Sequence, residues 1–279
     1  MTRTFRRKAG TAALEALLIL AAAIYIYPVF LMFMNSLKPF GEVVADVIAF
    51  PKHLSFQNYA DVIEKMNYPR LFLNNVIITA IGLIGIVFFS SLGAYVLDRR
   101  NTRYTRLAYM LIIVPMLIPF QTFMITLLKV MNVLSLSGST WGLGIQYWGF
   151  GIPMATFIFF NFMKTIPREI DESARIDGAS TMRTFTHVIF PMLKTVTTTV
   201  VVLDVMWIWN DFLLPLLMVN SRPITKTLVL SAYTFVGQFN TQWHYAMTAM
   251  VLVVLPSIVV FILLQRYIVE GAVAGAVKG

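Results

Sequence analysis

The chain has 279 residues, 58% of them hydrophobic and 13% charged, with a net charge of +9. Soluble domains carry about a quarter charged residues. This composition, with a mean hydropathy of +0.75, therefore excludes an ordinary globular enzyme, a disordered chain and a fibrous one. The absence of cysteine excludes a disulfide framework, a thiolate metal site and a cysteine nucleophile.

A helix needs about 20 mostly apolar residues to cross the hydrocarbon core, and charge-free runs of that size recur along the chain. Ala16–Leu37 runs between Glu15 and Lys38 and predicts a first span over 12–37. It is longer than a signal-peptide core and lacks a clear small-residue cleavage site, so it reads as retained. In the long loop Lys38–Arg70, Ser55 is placed to cap a short helix. Its Phe56, Tyr59, Val62, Ile63 and Met66 share a face that lies at the interface, against a partner, or over the bundle end. Leu71–Leu97 and Leu107–Leu128 predict spans over 72–97 and 107–129. Ser135–Thr140 has loop composition, which moves the next span to 147–163. Thr195–Ser221 predicts a span over 195–219 although it holds Asp204 and Asp211, and Tyr245–Gln265 predicts the last, over 245–266. None of these runs alternates with period two, as a membrane barrel requires. The expectation is an all-α integral membrane fold, one transmembrane domain over 1–279 with six transmembrane helices.

Basic residues orient it. Six spans put both termini on one side, and that side holds 15 of the 22 Lys and Arg, among them Arg3, Arg6, Arg7, Lys8, Arg99, Arg100 and Arg103. The other side holds 7. The excess side is cytoplasmic, so the chain is expected in a bacterial or archaeal plasma membrane with both termini inside. The +9 is then a topology signal and not a nucleic-acid site.

The cytoplasmic segment 164–194 reads as two helices and a turn. Pro167 suits a first helical turn, and Glu169, Asp171 and Glu172 suit the positive end of its dipole. Gly178 is placed to end that helix in the left-handed conformation, and Ser180 to cap a second helix with the apolar stripe Met182, Phe185 and Ile189, ending before Pro191. The product is a protruding elbow. The sequence holds no G-x-x-x-x-G-K-[ST] and no G-x-G-x-x-G, so the energy for any work comes from elsewhere.

In span five, Asp204 and Asp211 are two helical turns apart, with Trp207 between them on the same stripe. Counted from Thr195, Asp204 lies ~14 Å deep and Asp211 ~24 Å along. A mid-membrane carboxylate faces the bundle interior or water. Carboxylate plus aromatic ring suits a neutral sugar, so Asp204 and Trp207 are read as lining a path, with Asn210 and Asp211 at its outer end or at a contact with a partner subunit. A carboxylate bonded to a neighbouring helix is the equal alternative for Asp204, and a structural or gating role is favoured for Asp211. Pro215 cannot donate to the Asp211 carbonyl and loosens the helix there. His53, His187 and His244 are scattered, and no metal site is expected.

Glu172-Ser173-Ala174, Gly178 and Val188-Ile189-Phe190-Pro191 are together similar to the EAA---G---------I-LP motif of binding-protein-dependent ABC importer permeases. Ser173, Val188 and Phe190 depart from it conservatively. Asn35-Ser36-Leu37-Lys38, Asn74-Asn75, Gly93-Ala94-Tyr95, Trp209-Asn210-Asp211-Phe212 and the tail from Glu270 resemble the carbohydrate-uptake branch, of the maltose-permease second-subunit type. The resemblance implies the type I ABC importer permease fold with a cytoplasmic EAA coupling loop. It implies ATPase coupling through Glu172, Ser173, Ala174, Asp177, Gly178, Ala179, Met182, Phe185 and Pro191. It also implies a C-terminal tail, with Gly275, Val277, Lys278 and Gly279, that enters the ATPase dimer. ATP and Mg would sit on the partner ATPase and no cofactor on this chain. The partners implied are a second, different permease, an ATPase dimer, an extracytoplasmic sugar-binding protein, the sugar and membrane lipid. An intramembrane enzyme would need a catalytic cluster beside Asp204, and a channel would have no use for the elbow.

Overall fold

The computed structural model describes residues 2–237 and 241–276, with side chains for all of these except 2–10, 264 and 266–276. Among the described residues every regular element is a helix. The elements are α1 (Thr2–Ser36), α2 (Phe40–Ala45), α3 (Gln57–Met66), α4 (Tyr68–Arg100), α5 (Arg103–Ile113), α6 (Phe120–Val133) and α7 (Thr140–Met163). They continue with α8 (Glu169–Ile176), α9 (Thr181–Thr184), α10 (Phe190–Met192), α11 (Lys194–Asn210), α12 (Leu213–Met218), α13 (Leu228–Ala232) and α14 (Trp243–Ala276). Helices α1, α4, α7 and α14 are each long and apolar enough to cross a membrane.

Two compact units emerge, one running up to Tyr68 with Ser231–Leu255, the other Pro69–Leu230 with the residues from Pro256 onward. In the first unit α1 keeps its apolar side chains exposed, Tyr25 at 83% among them, as a lipid-facing helix does. The turn after α1 is sewn down by polar groups. Asn35 Nδ2 donates to the Leu31 and Val47 carbonyls at 2.8 Å each, and the buried Lys38 ammonium donates to the Asp46 carbonyl at 2.9 Å. Helix α3 packs Asn58, Val62 and Met66 inward, and Asn58 Nδ2 donates to the Ser36 and Lys38 carbonyls. Of the expected face, Val62 and Met66 are buried and Tyr59 is half-buried, while Phe56 and Ile63 at its edges are exposed. Ser55 is not its cap: Phe56 holds that position without a side-chain bond. Helix α3 thus covers helix ends within its own unit.

In the second unit α4, α7 and α11 bury Ile78, Ile86, Tyr147, Phe159, Val200 and Ile208 together. Within lipid such helices associate by close packing of small residues. A Cβ on Gly85 would collide with the Trp148 indole, whose Nε1 donates to the Ile81 carbonyl at 2.8 Å. Helix α7 begins at Thr140, ahead of the expected 147, because the Ser139 Oγ accepts the Gly142 N–H at 2.9 Å and caps it.

Two expected spans are not single rods. The stretch 107–129 bends by 105° between α5 with its following 3₁₀ turn (Val114–Leu117) and α6. Pro115 and Pro119 each lack a donor, and Ile118, before the second, is extended with φ −93° and ψ 117°. Helix α11 has 17 residues, about 26 Å of rise against the ~30 Å core. It stops at Asn210, and α12 resumes at Leu213 with Pro215 in its first turn.

Candidate functional site

The elbow forms as its sequence dictates. Helix α8 starts with three acidic residues and ends at Gly178, whose φ of +82° is left-handed. The Gly178 N–H donates to the Arg175 carbonyl at 3.0 Å and the Ala179 N–H to the Ala174 carbonyl at 2.9 Å, the two bonds of a Schellman stop. Ser180 Oγ then accepts the Arg183 N–H at 3.3 Å and caps α9. Pro191 does not end the helical run. A π-turn over Phe185–Ile189 leads into α10, which contains Pro191, and the chain bends by 76° into α11.

The elbow is bolted to the end of α4. Asp171, 4% exposed, accepts from the Tyr95 phenol at 2.7 Å and from Arg99 Nε at 2.9 Å. The Arg99 guanidinium also pairs with Asp98 at 2.7 Å and donates to the Ile166 carbonyl, while Arg168 donates to the Asp98 carbonyl at 2.9 Å. Both partners of the Asp171–Arg99 pair are buried, so neither charge is left without a counter-charge.

Of the residues expected in the elbow, Glu172, Ser173, Asp177, Gly178, Met182 and Pro191 are exposed, and Ala179 is half-buried. Ala174 and Phe185 are not outward-facing; they are buried, and Phe185 stacks near Tyr95 at 5.3 Å between ring centres. Sequence reasoning missed Ile176, 86% exposed on the elbow, and the Asp171–Arg99–Tyr95 anchor. The misplaced apolarity of Ile176 was a readable signal; Arg99 had been absorbed into the positive-inside count. In the tail, Gly275 belongs to α14, while Val277, Lys278 and Gly279 lie outside the described residues.

At the far end of α11, Asp211 is fixed from two sides. The Tyr147 phenol donates to its Oδ2 at 2.8 Å, and the Leu213 N–H donates to its Oδ1 at 3.1 Å. The Trp207 indole meets Tyr147 edge to face at 5.3 Å. Asn75 closes the break: its Nδ2 donates to the Trp209 carbonyl at 3.3 Å and its Oδ1 accepts the Leu228 N–H at 2.9 Å. Asn74 donates to the Ile224 and Lys226 carbonyls. These two amides pair backbone groups at the end of α11 and in the segment 224–228.

Two cavities adjoin there. The larger, about 500 Å³, is lined by Phe120, Phe150, Gln146 and Trp207 among others; the smaller, about 190 Å³, by Phe120, Phe150, Trp207, Gln121 and Asp211. Trp207 and Asp211 are thus brought together at the smaller cavity. Asp204 and Asn210 are not, since neither lines them. Asp204 is buried and makes no hydrogen bond or ion pair among the described residues. Asn210 is tied to the Met206 carbonyl and to Ser257 Oγ. Gln146, missed from sequence because it sits in an apolar run, lines the larger cavity.

Residues 86–272 match the family described as binding-protein-dependent transport system inner membrane component. The chain is 36% identical to "Probable starch degradation products transport system permease protein AmyC" of Thermoanaerobacterium thermosulfurigenes, over 93% of this chain and 94% of that one. It is 31% identical to the melibiose/raffinose/stachyose import permease protein MelC of Bacillus subtilis, over 98% and 100%. Its fold is similar to a chain in the crystal structure of a bacterial ABC transporter involved in the import of the acidic polysaccharide alginate. That likeness has a TM-score of 0.79 at 21% identity and covers 96% of this chain and 98% of that one.

Proposed function

This chain belongs to the family of binding-protein-dependent transport system inner membrane components, and from that premise we propose that it is one of two permease halves of an ATP-driven importer of oligosaccharides. The sugar class follows from the names of the relatives, which transport starch degradation products and raffinose-type sugars. The chain crosses the plasma membrane six times with both termini in the cytoplasm, the bent pair α5–α6 and the broken pair α11–α12 each counting as one crossing.

The observation that carries the coupling half of this reading is the elbow: an exposed helix–glycine–helix turn held to α4 by a buried ion pair. Its exposed Glu172, Ile176 and Met182 offer a carboxylate and two apolar side chains to a cleft on a cytoplasmic ATPase. ATP and Mg belong to that ATPase. Closure of its dimer would draw two such elbows together, and the ion pair would hand the motion to α4 while the bend into α11 hands it to the cavity. The pore thereby alternates between inward and outward access, loaded from outside by a sugar-binding protein. Trp207 and Asp211 border the path, Asn210 braces its outer end, and Asp204 lies behind it.

The test uses the assembled importer in proteoliposomes. The double substitution Glu172→Ala and Ile176→Asp alters only exposed side chains. It is expected to abolish co-purification of the ATPase and to lower ATP-driven uptake by at least about tenfold, as loss of one good anchor does. Undiminished uptake with the ATPase still bound overturns the coupling role.

A further inference from the structure

Gln146 stands out from its surroundings. It is 5% exposed, and both its side-chain oxygen and its side-chain nitrogen lack any hydrogen-bond partner. A buried amide left so is costly, and an unsatisfied buried polar group points to strain or to an absent partner. This one lines the 500 Å³ cavity, whose other walls are apolar and include Phe120, Phe150 and Trp207. The volume is that of a small-molecule site, about 300–1,000 Å³.

We infer that this cavity is a subsite for one uncharged sugar ring of the transported oligosaccharide; the inference deepens the sugar-permease reading and rests on it. No Asp, Glu, Lys or Arg lines the cavity, so nothing there recognises an ionic group. The aromatic walls match the apolar C–H face of a pyranose. An amide has one acceptor and two donors, and a hydroxyl both donates and accepts. A sugar hydroxyl therefore satisfies Gln146 where a lipid acyl chain leaves it unpaired.

The neighbouring 190 Å³ cavity extends the same track. Phe120, Phe150 and Trp207 belong to both linings, so they form the partition, and Gln121 and Asp211 offer acceptors and donors beyond it. Amide, aromatic partition, then amide and carboxylate is a sequence of subsites for successive rings. The Tyr147–Asp211 bond and the edge-to-face Tyr147–Trp207 contact hold the far half in place.

The experiment is saturation-transfer NMR on the complete importer in nanodiscs, without the binding protein, using raffinose and maltotriose as probes. Transfer to ring protons of at least one probe is expected, reduced about fivefold in Gln146→Leu, the loss of one net hydrogen bond. Gln146→Met keeps the side-chain volume and is expected to match Gln146→Leu, which guards against a folding defect in either. Full signal in either assembled variant overturns the subsite. So does an absence of transfer in an importer that still takes up saccharides through its binding protein. An importer that takes up no saccharide at all overturns instead the sugar-permease reading on which the subsite rests.

Discussion

The two ends of α4 are anchored by opposite chemistry. At its Arg99 end, charged groups do the work: Asp171, Arg99 and Asp98 form a buried ionic cluster, with Tyr95 closing it. At its Asn74 end, two neutral amides hold backbone carbonyls and an N–H of the segments around the α11–α12 break. Charge suits a joint that bears on a moving partner beyond the hydrocarbon, because a buried pair is costly to break and tolerates little misalignment. Neutral amides suit a broken helix at membrane depth, where the task is to satisfy backbone atoms without importing a charge. Under the proposed coupling, this one helix would serve as a connecting rod, held by charge at the drive end and by neutral amides at the cavity end.

The sharpest way to break this comparison is at Arg99. Arg99→Ala strands two buried carboxylates, and removing one member of a buried pair costs about 3–5 kcal/mol. The expected result is a large fall in the thermal midpoint of the purified importer and loss of uptake. Tyr95→Phe removes one hydrogen bond from the same carboxylate and is expected to cost only about 0.5–1.5 kcal/mol. Equal effects of the two would mean that the charge carries no special weight.

Asn75→Leu tests the other end. It removes the bond to the Trp209 carbonyl and leaves the buried Leu228 N–H without its acceptor, at about 1–3 kcal/mol for that N–H. The loss is expected in stability and sugar handling, with ATPase co-purification retained. Loss of the ATPase instead would show that the two ends are not separable.

Gly178→Ala is a smaller and cleaner perturbation. Nothing lies within 4 Å of a Cβ built there, so the penalty is conformational alone, set by the φ of +82° and amounting to about 1–2 kcal/mol. It falls on the elbow, so weakened ATPase association is expected, with a fall in the thermal midpoint smaller than that of Arg99→Ala.

Much of this was legible in the sequence. Apolar runs, the glycine stop at Gly178 and the Ser180 cap all follow from local rules, and all appear. The lone carboxylate of Asp204 signalled a buried site, yet depth along a helix does not fix which way a side chain turns, and it lines neither cavity. The bend at Pro115 and Pro119 was readable from the two prolines, but a hydropathy window averages over them. The Asp171–Arg99 bolt was invisible because its partners lie far apart in the chain, and the unpaired Gln146 because its state depends on what the fold packs around it.

The smallest effect contrasts a third carboxylate with Asp171. Asp61, on α3, accepts from the Tyr245 phenol at 2.5 Å and from Gln57 at 2.8 Å. The Tyr245 hydrogen bond, and after it that from Gln57, holds its carboxyl below the usual value of 3.8. A carboxyl whose folded value is lowered binds protons less readily than in the unfolded chain, so it stabilises the fold above pH 3.8 and loses that contribution as pH falls through the lowered value. The sign is therefore fixed, while exposure to solvent keeps the size small. Thermal unfolding of the wild type against Asp61→Asn is expected to show a slight, constant advantage at neutral pH that vanishes in acid. An advantage that grew on acidification would reverse the sign and rule out the Tyr245 bond as its cause.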